Sequence, residues 1–233
     1  MGRLLVLWDV DYTLVDSDGI GRQLYETALR ELFGLPMPQS GSMSGRTDRA
    51  IALEVLTLAG VPEPEAAIGP FQDLMAAHAA GLAALVPQRS RVLAGAAEAM
   101  SALARLDVVQ SLLTGNIRPL AEVKLGPLGL TEHLDLTVGA YGDAHAVRSE
   151  LVHLARDRAA HAYGCDFDGA ATVLVGDTPL DVGAALATGA RAVGVATGQF
   201  TAEQLAASGA HAVLPDLADT DRTLAAILGT EQP

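Results

Sequence analysis

The chain has 233 residues, half of them hydrophobic and 18% charged, with a formal net charge of −13. That is ample material for a core and no composition for disorder. The acidic balance excludes a nucleic-acid partner, which would call for a basic face, but not a small anion held by a metal ion and a few local cations. The single cysteine, Cys165, rules out an internal disulfide and points to a reducing, cytoplasmic setting. No apolar run approaches a membrane span or a signal peptide, so no membrane partner is expected.

The first element, Leu4 to Trp8, is apolar without alternation, as a strand buried on both faces of a parallel sheet reads. From Ser17 to Gln88 the pattern is helical. Ile20, Leu24, Ala28 and Leu32 share one face until Gly34 and Pro36, Ile51, Val55 and Leu58 share a second from about Thr47, and an alanine-rich third helix covers Phe71 to Leu85. After Arg91 helices and strands alternate. The expected strands are Val108–Leu113, a weaker one at Leu134–Val138, Ala171–Val175, Ala192–Val195 and Ala212–Leu214. The helices between and after them are Ala94–Leu106, Arg118–Leu125, Ser149–His161, Asp181–Ala187 and Asp219–Leu228. Such alternation predicts an α/β fold, a Rossmann-like parallel sheet with helices on both faces. Residues 1–16 and 89–233 form that core, and 17–88 form a small helical cap inserted after the first strand.

The informative residues fall at strand ends, where the loops of an open α/β sheet bind ligands. Asp9 and Asp11 close the first strand in "DVDYT"; Thr114, Gly115 and Asn116 follow the second in "LLTGN"; Arg148 ends the loop "YGDAHAVR"; Asp177 and Asp181 lie in "VLVGDTPLD". Carboxylate oxygens converging on one edge suit Mg²⁺, and a hydroxyl with backbone amides at a helix start suits phosphate.

The motifs "DVDYT", "LLTGN" and "VGDTPLD" in this order resemble the haloacid dehalogenase superfamily in its phosphatase branch, over essentially the whole chain. The resemblance implies that Asp9 is the nucleophile forming an aspartyl-phosphate and that Asp11 is the general acid and base. It implies that Thr114 binds the phosphoryl group, with Thr13, Gly115 and Asn116 also at the substrate. The same resemblance makes Asp177 a ligand of Mg²⁺ beside the Asp9 carboxylate and the Asp11 carbonyl, with Asp181 orienting that shell. The implied activity is Mg²⁺-dependent hydrolysis of a small phosphorylated metabolite, phosphoglycolate among the candidates, by a monomer or homodimer. A phosphomutase of the β-phosphoglucomutase kind and a non-catalytic phosphate-binding regulator are the alternatives.

One motif departs from the family. Its usual third-motif lysine is replaced by Arg148, while the chain's only lysine, Lys124, lies on the helix after "LLTGN". Either cation could serve, Arg148 by position and Lys124 only by reaching back about 10 Å along its helix. In the cap, "MSGRTDR" presents Arg46 before a helix that Thr47 or Asp48 would cap, and Arg46 is a candidate for the leaving group.

Overall fold

The computed structural model describes residues 3–230. Strand β1 (Leu4–Trp8) points Val6 and Trp8 into one apolar core and Leu5 and Leu7 into another, which is why it carries no polar alternation. It is an inner strand, between β4 and β5, of a parallel sheet ordered β4-β1-β5-β6-β7. The other strands are β4 (Val108–Leu112), β5 (Thr172–Gly176), β6 (Arg191–Val195) and β7 (Ala212–Leu214). Two-residue strands β2 (Val15–Asp16) and β3 (Arg91–Val92) pair antiparallel, so the chain enters and leaves the helical insert through one short ribbon.

Between the strands of that ribbon lie α1 (Arg22–Phe33), α2 (Asp48–Leu58), α3 (Pro64–Ala79) and α4 (Val86–Arg89). After it come α5 (Ala96–Leu103), α6 (Arg118–Leu125), α7 (Arg148–Tyr163), α8 (Pro179–Ala187), α9 (Ala202–Ala207) and α10 (Thr220–Leu228). Helices α5 and α10 cover one face of the sheet, where Met100, Leu103, Ala226 and Ile227 join the core of Val6 and Trp8; α7 and α8 cover the other. The helices of the insert bury Leu24, Val55, Phe71 and Met75 among themselves and extend their core onto Ile117 and Leu120 of the α6 segment. The insert is thus seated on the helix that follows "LLTGN". Among the described residues no helix is long and apolar enough to cross a membrane.

Two expectations need correction. The helix expected near Ser17 begins at Arg22. The weak strand expected at Leu134–Val138 is an irregular segment instead, because the side chain of Asp135 accepts from the backbone N–H of Thr137 at 2.9 Å and closes a local turn. The segment still follows β4 through Asp135 N–H to Gln110 O and Ala140 N–H to Leu112 O, both 2.9 Å.

Candidate active site

At the carboxyl end of β1 the chain makes a tight turn in which Leu14 and Val15 both donate to the Val10 carbonyl and Tyr12 takes a left-handed φ of 58°. The turn fixes Asp9 and Asp11 over the sheet edge. β4 ends beside them in Thr114, which is fully buried. Its hydroxyl accepts from Asn116 N–H at 3.2 Å and from Asn116 Nδ2 at 2.8 Å, which leaves its own O–H free to donate. β5 delivers Asp177, and the capping box at the start of α8 holds Asp181, whose Oδ2 accepts from the N–H and hydroxyl of Thr178. Asp9, Asp11, Thr114, Asn116 and Asp177 line a cavity of about 370 Å³.

Each of the two leading aspartates has its own cation. Arg148, at the first turn of α7, donates through Nη2 to Asp9 Oδ1 at 2.8 Å and to Asp181 Oδ1 at 2.5 Å. Lys124, in the last turn of α6, donates through Nζ to both oxygens of Asp11, at 2.7 and 2.6 Å, and to Asn116 Oδ1 at 2.8 Å. Burial pushes the Asp11 carboxyl up, but the Lys124 charge with hydrogen bonds from Lys124, Ser17 and Asn116 outweighs it and holds the group below the usual carboxylate range. Asp9 goes the other way: burial raises it, and the nearby charges of Asp181 and Asp11 add to that, against the pull of Arg148.

Asp177 is raised by burial and then by repulsion from Asp9 and Asp181. One ligand oxygen from each of Asp9, Asp177 and Asp181 lies within 4.8 Å of the others. The Oδ2 of Asp177 is buried with no hydrogen-bond partner among the described residues, and a Cβ added to Gly198 would meet it at 1.8 Å. A buried, unpartnered carboxylate oxygen beside two further acids has the donor chemistry of a hard divalent cation site. Both oxygens of Asp181 are already occupied by Arg148 and Thr178, so Asp9 and Asp177 are the carboxylates with room for such an ion.

The insert closes the cavity with a loop ending at Asp48. Asp48 N–H donates to Gly115 O at 2.6 Å, Arg49 N–H to Gly142 O at 2.8 Å, and the Thr47 hydroxyl to Ala146 O at 3.1 Å. Arg148 Nη1 also donates to Gly45 O at 3.2 Å. Such close backbone approach excludes side chains: a Cβ at Gly115 would lie 2.0 Å from the Arg46 carbonyl oxygen, and one at Gly142 would lie 1.8 Å from Gly115 O. The Asp48 carboxylate is buried between the Tyr25 hydroxyl and Ile117 N–H, which donates at 2.7 Å, and burial raises its carboxyl to about 6.

The cavity therefore gathers Asp9, Asp11, Thr114, Arg148, Lys124 and Asp177, with Gly115, Asn116 and Arg46 on its wall. Two expected substrate contacts are placed differently. Thr13, within the turn after β1, is fully buried and does not line the cavity. The Arg46 guanidinium is occupied by Glu54 at 2.5 Å and by the carbonyls of Ser42 and Ala50. Sequence reasoning missed Ser17, which donates to Asp11 Oδ1 at 2.5 Å, and the Tyr25–Asp48 pair. A tyrosine among apolar residues on one helix face carried no signal of a partner 23 positions away.

Residues 148–220 match a family model described as HAD-hydrolase-like. The chain is 30% identical over 212 residues to the protein named probable phosphatase IndB of Dickeya dadantii (strain 3937), spanning 88% of this chain and 86% of that protein. Among solved structures it superposes on a predicted phosphatase from Clostridium acetobutylicum with a TM-score of 0.68 at 18% identity, covering 96% of this chain and 99% of the other. A predicted phosphoglycolate phosphatase from Haemophilus somnus 129PT gives 0.65 at 18% identity, covering 95% and 97%. At these identities the two structures establish the fold.

Proposed function

The chain belongs to the haloacid dehalogenase-like hydrolases, and we propose that, as a phosphatase of that family, it hydrolyses a small phosphate monoester with Mg²⁺ through an aspartyl-phosphate on Asp9. The observation that carries this reading is the meeting of Asp9, Asp11, Thr114, Arg148 and Asp177 in one cavity, each from a different loop or strand end apart from the first pair.

In this reading Asp9 attacks phosphorus and the bond to the leaving oxygen breaks, while Asp11, in the protonated form that Lys124 and its other donors make the minor one, hands that oxygen a proton. Asp11 then takes a proton from the water that attacks the acyl phosphate, which frees inorganic phosphate and restores Asp9. The Thr114 hydroxyl and the N–H of Gly115, which has no protein acceptor among the described residues, bind the transferred group. Arg148 keeps Asp9 aligned and supplies positive charge to phosphoryl oxygens. Mg²⁺, held by Asp9, Asp177 and the Asp11 carbonyl with Asp181 bracing Arg148, would neutralise phosphoryl charge. The insert, which we take as a cap spanning 17–88, excludes bulk water and large substrates.

The charges lining the cavity bear on the leaving group. Lys124 is paired with Asp11, Arg148 with Asp9 and Asp181, Arg46 with Glu54, and Arg22 with Glu26. Among the described residues this leaves no unpaired cation lining the cavity for a second anionic group, and the reading accordingly ranks uncharged alcohols as leaving groups ahead of glycolate.

Phosphate release from a panel of sugar phosphates, glycerol phosphates and phosphoglycolate, with Mg²⁺ or EDTA, tests the proposal. Release by the wild type that is lost with EDTA and with Asp9→Asn is expected. Isomerisation of a sugar phosphate without free phosphate would replace hydrolysis by a mutase reaction. Binding of Mg²⁺ and phosphate with no turnover at all would refute an enzymatic role.

A further inference from the structure

Arg148 accounts for the cation beside the nucleophile, which leaves Lys124 without a role in phosphoryl transfer. Its ammonium is nonetheless not a surface charge, being only 4% exposed. All three of its N–H bonds are used, two on Asp11 and one on Asn116 Oδ1. The amide of Asn116 then donates to Asp11 Oδ2 and to Thr114 Oγ1, both at 2.8 Å. Ser17 completes the set on Asp11 Oδ1. Lys124, Asp11, Asn116 and Thr114 thus form one connected unit that ties the acid/base carboxylate to the hydroxyl at the phosphate. Gly21, just ahead of α1, packs closely on α6 beside this unit: a Cβ there would stand 3.0 Å from Leu120 Cδ2 and in ordinary contact, 3.7 Å, with Lys124 Nζ.

The geometry points to Lys124 as the positioning residue of the acid/base step: acting through Asn116 as well as directly, it fixes Asp11 relative to the phosphoryl site. This inference rests on the phosphatase reading above. Lys124 does not touch the phosphoryl group; it acts by restricting where Asp11 can present its proton. An aligned general acid contributes about 10²–10⁴ in rate, and a carboxylate free to rotate gives up a large part of that factor.

Leaving-group dependence separates positioning from general damage. kcat/KM reports steps up to release of the alcohol, and only a poor leaving group needs the proton from Asp11. Lys124→Met, Asp11→Asn and the double variant are assayed with p-nitrophenyl phosphate and with the best alkyl monoester of the panel. Lys124→Met should lower kcat/KM about 100-fold on the alkyl ester and less than 10-fold on the aryl ester, in line with the size of a general-acid contribution. Added to Asp11→Asn, it should cause no further alkyl loss, because the two residues act as a unit. Equal losses on both esters, or full additivity in the double variant, would overturn the assignment. If Lys124→Met shows no cooperative melting transition, Asn116→Ala cuts the same unit and should show the same preferential alkyl loss at about 10-fold; equal losses there would also refute it. A wild type that releases phosphate from neither ester would sink the phosphatase reading itself, whereas loss of both activities in Asp9→Asn keeps that reading intact whatever Lys124 does.

Discussion

Removing the Arg148 guanidinium tests how far one cation holds the candidate site together. Arg148→Met keeps most of the stem's volume but takes away the donors to Asp9 Oδ1, Asp181 Oδ1 and the carbonyls of Leu113 and Gly45. Arg148 is 7% exposed and both carboxylates are buried, so water from the cavity replaces the lost partner only in part. Breaking a buried pair in this way costs about 3–5 kcal/mol. For a chain of this size 1 kcal/mol moves Tm by roughly 2–4 °C, which predicts a fall of about 6–20 °C by calorimetry in EDTA. The fall should depend on pH. Asp9 is raised above the usual 3.8 by burial and by its acidic neighbours, so in acid it holds a proton and needs the guanidinium less. The difference between wild type and Arg148→Met should therefore grow as pH rises from the acid side through neutrality. A Tm change under about 2 °C in EDTA, set against the shift just derived, or one that is the same at every pH, would refute this account of the ion pair.

Asp177→Asn should have effects of opposite sign with and without metal. In EDTA the amide removes a carboxylate that burial and repulsion disfavour, so Tm should rise; the added stabilisation that Mg²⁺ should give the wild type should be missing from the variant, and a Mg²⁺-dependent Tm rise retained in the variant would exclude Asp177 as a ligand. Gly142→Ala would force its Cβ to within 1.8 Å of Gly115 O and 2.7 Å of Asp48 N, so backbones must part; about 1–3 kcal/mol of destabilisation in urea is expected, together with slower phosphate release, and a silent substitution would show that the loop contact is loose. Asp48 has a folded-state pKa of about 6 against an ordinary 3.8, so the native state keeps a proton that the unfolded chain has lost between those values. Stability from this group falls as pH rises across that window, and wild type should lose ground to Asp48→Asn there in urea midpoints; a constant difference would show that Asp48 does not titrate.

The sheet and its ligand edge were legible because buried parallel strands leave a local trace. Leu4–Trp8 and Thr172–Gly176 are apolar on both faces, and each strand ends directly in a motif residue, so locating the strand locates the carboxylate. Leu134–Val138 misled for the same reason: it is apolar enough to read as a strand, and only the Asp135–Thr137 turn, a side-chain effect, breaks it. The ribbon of β2 and β3 is two residues per strand, below the length at which any periodicity exists. The target of Lys124 was out of reach of sequence reasoning because it depends on the orientation of α6 against the turn after β1, on residues 113 positions apart. Arg46 could not be assigned for a related reason, since Glu54, in the second turn of α2, competes for its guanidinium.

The pairing of cations also explains how a chain of net charge −13 can receive a phosphate dianion. Four carboxylates meet at the sheet edge, those of Asp9, Asp11, Asp177 and Asp181, against two fixed cations, Arg148 and Lys124. With all four ionised the site carries two uncompensated negative charges, and the raised carboxyls of Asp9 and Asp177 reflect the cost of holding them in a buried place. A divalent cation cancels that excess. A monovalent one leaves a net negative charge facing the substrate, and a protonated Asp9 is not a nucleophile. Lys124 matters to this balance apart from its positioning role: without it Asp11 becomes a further unpaired charge, and one Mg²⁺ no longer suffices to bring the site to neutrality. The distant acidic surface is screened over about 8–10 Å at ordinary ionic strength, so the local count of charges decides whether the anion enters.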